Sequence, residues 1–155
     1  MSSNEKIKAD LLDDINQQLR KFSTRNVLFQ QNIAQSMGLV HTDLKTADIL
    51  NETGPLTAGE ISQITGLSTG SVTALLDRLE HAGFIKREKD PNDRRKVIIV
   101  PIKEQQDLIK ARYSSISKTT KEYCQRYDEK ELKLILQFTT DITHIIEEEI
   151  NKVRT

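Results

Sequence analysis

A mainly α-helical fold with one small β-hairpin is predicted by three observations. Apolar side chains recur three and four residues apart over long stretches at both ends of the 155-residue chain. Two short helical stretches meet in the middle across a tight glycine turn, and just beyond them two short runs suited to strands flank a cluster of turn formers. Together these describe a winged helix-turn-helix joined to a helical dimerisation region.

The first long pattern runs from about Glu5 to Met37, with Ile7, Leu11, Leu12, Ile15, Leu19, Phe22, Val27, Leu28, Ile33 and Met37 on it and neither Gly nor Pro inside. It predicts one amphipathic helix, with a kink expected near Ser23 and Thr24. Gly38 breaks the pattern. A shorter helix follows from about Thr42 to Glu52, stopped by Gly54-Pro55, and Leu56 is expected to add a very short strand.

Thr57-Ala58-Gly59-Glu60 has the form of a capping box, in which the Thr57 hydroxyl accepts the N–H of Glu60 and the Glu60 carboxylate reaches back. A helix therefore starts at Ala58. Thr65-Gly66 ends it after two turns, and Ser68 is placed to cap another helix over about Thr69–Ala82. That helix sets Val72, Leu75, Leu76 and Leu79 on one stripe and leaves Thr69, Gly70, Ser71, Thr73, Ala74, Asp77 and Arg78 on the other face. Gly83 closes it. Ile85–Lys89 and Lys96–Val100 are the hairpin strands, with Asp90-Pro91-Asn92-Asp93 in the turn and Pro101 as the terminator. Two more helices are expected, one from about Lys103 and one from near Asp128 to Val153. The second carries Leu132, Ile135, Leu136, Ile142, Ile145, Ile146, Ile150 and Val153 at near-heptad spacing. The expected division is 1–37 with 103–155 for dimerisation, and 38–102 for the winged lobe.

Net charge is zero over the chain, but its distribution is uneven. Between Phe84 and Lys103 stand seven basic residues against three acidic ones, a local charge of +4 on a mildly acidic remainder. Such a chain meets phosphate with one face only. Cys124 is the only cysteine, which excludes an intrachain disulfide and a cysteine-based zinc knuckle. No apolar run approaches the length of a membrane span and no signal core follows the N-terminus, so a cytoplasmic location is expected.

The major groove of DNA admits one α-helix, whose N-terminal side chains read base edges. Ser68, Thr69, Ser71 and Thr73 are the candidate readers. Arg94, Arg95 and Lys96 at the hairpin tip are candidates for the adjacent minor groove or its phosphates. Arg78 is open to two roles, a phosphate contact or an ion pair with Glu80 or a neighbouring helix.

Along Gly54–Val100 the chain resembles the MarR family of bacterial transcription regulators. The resemblance rests on Gly-Pro-Leu-Thr-Ala-Gly-Glu-Ile-Ser, Thr-Gly-Leu-Ser, Val72-Thr73, Leu76-Asp77-Arg78-Leu79-Glu80, Ala82-Gly83-Phe84-Ile85 and Asp90-Pro91-Asn92-Asp93-Arg94-Arg95-Lys96-Val97, in order and spacing. It departs after the second strand, where the family usually runs into Leu-Thr and a nearby Gly and this chain has Val100-Pro101-Ile102-Lys103. The resemblance implies a homodimer with interlaced terminal helices that binds a pseudo-palindromic duplex, most often as a repressor, and that a small-molecule effector can release. It also implies a minor-groove role for Arg94, with Asp93 and Arg95 positioning the loop or touching phosphate.

Other constellations point elsewhere with less force. A solvated hairpin would also explain the charged run 86–96, and a protein-interaction module without DNA binding is the alternative function. Asp141, His144 and Glu148 share a helix face, yet histidines beside glutamates are ordinary surface features, and no metal or cofactor is expected. His41 and Asp43 lie near the place where relatives form a ligand crevice; helix capping is the expected task of Asp43, and no ligand-binding residue is assigned. Cys124, near Tyr123 and Tyr127, reads as an inert, partly buried thiol. No phosphate-cradling loop, nucleophile elbow or acid-base cluster suggests an enzyme.

Overall fold

The structure, a computed structural model, describes residues 2–154. Six helices and a three-stranded sheet follow one another as α1 (Ser3–Ser36), α2 (His41–Thr53), β1 (Leu56–Thr57), α3 (Ala58–Thr65), α4 (Thr69–His81), β2 (Ile85–Lys89), β3 (Val97–Pro101), α5 (Lys103–Cys124) and α6 (Glu129–Arg154).

α1 runs through Ser23 and Thr24 as one uninterrupted α-helix. The Thr24 hydroxyl donates to the Arg20 carbonyl one turn back, at 3.1 Å, which satisfies it without opening the helix. The capping box at Thr57 is formed in full: the Glu60 N–H donates to the Thr57 Oγ1 at 3.2 Å and the Thr57 N–H donates to the Glu60 carboxylate at 2.7 Å. Gly66 takes the left-handed cap conformation with φ of 72°, which a side chain would resist. Ser62 pins the turn that follows by donating to the Leu67 carbonyl at 2.7 Å.

The sheet has the order β1-β3-β2, all antiparallel. Ile85 pairs with Pro101 and Lys89 with Val97, while Leu56 of the short β1 pairs with Ile99. Pro101 is thus the last residue of β3 rather than the residue beyond it. The chain turns at once into α5, which starts at Lys103, where the sequence places it.

One core holds the middle of the chain together. Leu44, Ala47 and Leu50 of α2, Ile61 of α3 and the Val72, Leu75, Leu76, Leu79 stripe of α4 are buried with Ile85 and Ile99 of the sheet. Ile33 and Ala34 from the end of α1 and Ile109 from α5 join the same cluster, which seats the lobe on the long helices. The rest of those helices is different. α6 buries no residue, and Ile7, Leu11, Leu12, Ile15 and Phe22 of α1 and Leu134, Leu136, Ile145 and Ile146 of α6 lie exposed. Among the described residues, no helix is long and apolar enough to cross a membrane.

Candidate nucleic-acid interface

The candidate reading helix is α4. Its apolar stripe faces the core, and Thr69, Ser71 and Thr73 are exposed on the remaining surface. Ser68 caps the helix: its Oγ accepts the Ser71 N–H at 3.2 Å and its hydroxyl donates to the Ser71 Oγ at 2.9 Å. Thr73 donates its hydroxyl to the Thr69 carbonyl at 3.0 Å, so its oxygen lone pairs are what it can offer to a base or phosphate. Gly70 leaves open space around itself, which lets a neighbouring surface approach the first turn.

The wing is fastened to this helix by Arg87. From β2 its guanidinium donates to Asp77 at 2.7 Å and to Glu80, both on α4. Sequence reasoning counts Arg87 with the basic wing and misses this role, because the pairing spans two elements that only the fold brings together. The consequence for charge is direct. Arg87 is shared between the two carboxylates on α4 and offsets one of their charges, and Lys86 pairs with Glu88 at 2.5 Å, so the unpaired positive charge is concentrated at the tip.

At the tip, Asp93 holds the turn. Its Oδ1 accepts the Arg95 N–H at 3.0 Å and its carbonyl accepts the Lys96 N–H at 2.9 Å, while Asp90 accepts the Asn92 N–H at 2.8 Å. Arg94, Arg95 and Lys96 are all exposed. Neither Arg94 nor Arg95 has an ion-pair partner among the described residues.

Arg78 has a defined place. Its Nε and Nη2 donate to the two carboxylate oxygens of Asp43, at 3.1 and 2.8 Å, and Asp43 is 2 % exposed. Hydrogen bonding to Asp43 pushes the Arg78 guanidinium still further above its ordinary range. Of the ion-pair partners open to Arg78, the one on a neighbouring helix is engaged, and the Glu80 carboxylate pairs with Arg87. One expectation changes: Asp43 does not cap α2, whose N-cap is Val40 without a side-chain bond.

Away from α4, a cavity of about 380 Å³ is lined by Asp48, Asn51, Ile109, Lys110, Tyr113, Ser114 and Ser117. The Tyr113 hydroxyl and the His41 Nδ1 are buried there or nearby without a hydrogen-bond partner. Burial raises the Asp48 carboxyl above the usual carboxylate range, opposed by Lys45 at 3.6 Å. A larger groove of about 670 Å³ runs between α1 and α6, bordered by Phe22, Phe138, Ile142 and Ile146. His144 pairs with Glu147 at 3.2 Å, and among the described residues no group of three or more His, Cys, Asp and Glu is placed to hold a metal. Cys124 is half-buried beside the Tyr123–Tyr127 ring pair.

Comparison with known proteins identifies this arrangement. A model of the MarR family matches residues 39–97, the span from the end of α1 to the start of β3. Over 138 residues the chain is 54 % identical to the uncharacterized HTH-type transcriptional regulator YcgE of Bacillus subtilis, covering 89 % of this chain and 90 % of that protein. The chain belongs to the MarR family. Among solved structures, a MarR family protein from Bacillus stearothermophilus superposes with a TM-score of 0.69 at 18 % identity, covering 94 % of this chain and 99 % of the other. The overoxidized AbfR bound to DNA superposes with a TM-score of 0.52 at 21 % identity, covering 92 % and 98 %. As a MarR family member, this chain is a winged-helix transcription regulator and not an enzyme.

Proposed function

We propose that this regulator acts in the cytoplasm as a homodimer on a pseudo-palindromic DNA operator, as a repressor that a small-molecule effector releases. The observation that carries the DNA reading is the joint build of α4 and the wing. An exposed, small and polar helix face lies beside a hairpin lashed to the same helix by Arg87, with Arg94 and Arg95 left unpaired at its tip. Ser68, Thr69, Ser71 and Thr73 take the major groove, Arg94, Arg95 and Lys96 the minor groove or phosphates, and Arg78 a phosphate at the groove edge. That a structural neighbour, AbfR, was solved bound to DNA supports the reading of the chain as a DNA binder.

Residues 38–102 form the DNA-binding lobe in this reading, and 1–37 with 103–155 the dimerisation region. The exposed apolar side chains of α1 and α6 support it, since a single chain leaves them in water. The cavity beneath α5, with the unpartnered Tyr113 hydroxyl at its wall, is a suitable entry for an effector.

Genomic footprinting of the bound sites tests the proposal. Symmetric protected sites with half-sites about one helical turn apart are expected, together with raised transcription beside them when the regulator is deleted. A chain that binds neither selected nor random duplex would instead be an interaction module.

A further inference from the structure

A buried carboxylate on α2 is an expensive way to hold two helices together. Asp43 is 2 % exposed, and a charge so placed is tolerated only when it is paired and its lone pairs are engaged. A plain structural tie between α2 and α4 could be met by two apolar side chains at no desolvation cost. What the ion pair adds is direction. A two-point bond between guanidinium and carboxylate fixes the plane of the guanidinium as well as its position.

The geometry leaves Arg78 half committed. Nε and Nη2 face Asp43, while Nη1 donates to no group among the described residues and the side chain is 49 % exposed. On α4, Ser71, Ala74 and Arg78 follow one another at spacings of three and four residues, so Arg78 stands on the stripe of the reader Ser71, two turns further along. Phosphate contacts are what fix the register and orientation of a reading helix on the duplex.

We propose that Asp43 is a positioning residue for DNA binding: it holds the Nε–Nη2 edge of the Arg78 guanidinium by two bonds so that the free Nη1 is presented to a DNA phosphate. The inference rests on the DNA-binding reading above and adds to it a residue that never touches DNA. Because the pair is neutral as a whole, its contribution comes from orientation and not from added charge.

That distinction gives the test a sign. Asp43→Asn removes a negative charge near the interface, so unspecific electrostatics would tighten binding to duplex DNA. Loss of orientation weakens it. The full-length wild type, Asp43→Asn, the amide pair Asp43→Asn/Arg78→Gln and Arg94→Ala/Arg95→Ala are titrated over a range of salt. The probes are a duplex selected by the wild type from a randomised pool and a random-sequence duplex. Each variant is assayed well below its own melting temperature. The amide pair can still join α2 to α4 by a hydrogen bond and leaves the net charge of the chain unchanged, so it isolates the phosphate contact even if Asp43→Asn alone fails to fold.

Severalfold weaker binding is expected for Asp43→Asn and for the amide pair alike; because the amide pair leaves the local charge unchanged, its salt slope should stay close to that of the wild type, whereas the slope of the wing variant falls. Unchanged affinity in the amide pair, or tighter binding by Asp43→Asn, overturns the proposal while the wing variant still reports DNA binding. A wild type that binds neither duplex overturns the DNA reading itself, and this inference with it.

Discussion

Arg94 and Arg95 project from a turn whose backbone Asp93 holds, and among the described residues no acidic side chain pairs with either. Replacing both by Ala is therefore expected to weaken binding to every duplex and to lower the salt slope by up to about two units, at roughly 0.9 for each phosphate released. Ser71 and Thr73 should behave differently. Their replacement by Ala is expected to change which bases are preferred, by about 1 to 3 kcal/mol for each base that is no longer read, with little change in slope. Competition among operator variants at fixed salt would measure it. Asp48 allows a pH test at the same scale. Burial raises its carboxyl above the unfolded value, so the ionised form opposes folding, and the stability lost to it disappears as pH falls below that raised value. Asp48→Asn is expected to raise the melting temperature at neutral pH, and the gain over wild type should shrink in mildly acidic buffer; a gain independent of pH would contradict the assigned cause. Local chemistry at this scale is legible in the sequence wherever partners are three or four residues apart. Thr57 with Glu60 and Ser68 with Ser71 are such pairs. Asp43 reads as a helix cap in the sequence because its partner, Arg78, lies 35 positions away and only the fold joins them.

At the scale of elements, the helix-turn-helix follows from strong local signals: a capping box, a glycine that takes the left-handed cap, and a serine that starts the next helix. Breaking one should cost a predictable amount. Thr57→Ala is expected to lower stability by about 1 kcal/mol, read by chemical denaturation, since it removes the acceptor for the Glu60 N–H. Leu76→Ala should cost about 2 to 5 kcal/mol by emptying a fully buried site, and should affect DNA only through unfolding. The wing is legible as strands and turn within one residue, yet its attachment is not. Strand periodicity says which residues alternate, whereas the partners of Arg87 depend on how the hairpin folds back over α4. Arg87→Ala releases Asp77 and Glu80 beside the proposed interface. It is expected to weaken duplex binding more than Lys86→Ala does, although each substitution removes one positive charge; equal effects would show that the clamp has no part in binding.

At the scale of the whole molecule, the chain divides into a packed lobe and two long helices that it leaves largely uncovered. The core gathers residues from Ile33 to Ile109, whereas α6 buries none of its own. One tie runs between the two regions beyond the core: Arg154, at the end of α6, donates to the carbonyls of Gln63 and Ile64 at 3.0 and 2.8 Å, where α3 ends. A cation at a helix C-terminus is favourably placed against unpaired carbonyls. Apolar periodicity makes the long helices readable in the sequence, but periodicity shows that a stripe exists and not what covers it. Phe22 shows what is at stake. It is 68 % exposed, and it borders both the groove of about 670 Å³ between α1 and α6 and the neighbouring concavity toward Leu11. An aromatic ring left in water at the mouth of an apolar groove is the natural anchor of an interface. In the proposed homodimer it is covered by the second copy, and sedimentation equilibrium at micromolar concentration should return twice the chain mass. Phe22→Asp should return the mass of one chain, because the carboxylate would have to be buried without a partner at the interface. Since Phe22 lies outside the lobe's core, the far-ultraviolet signature and the melting of the lobe should survive the substitution. Binding to a duplex with two half-sites should then fall to the weak affinity expected of one. A wild type that sediments as a single chain would refute the homodimer. A Phe22→Asp variant that remains dimeric would place the interface on another part of the exposed stripe.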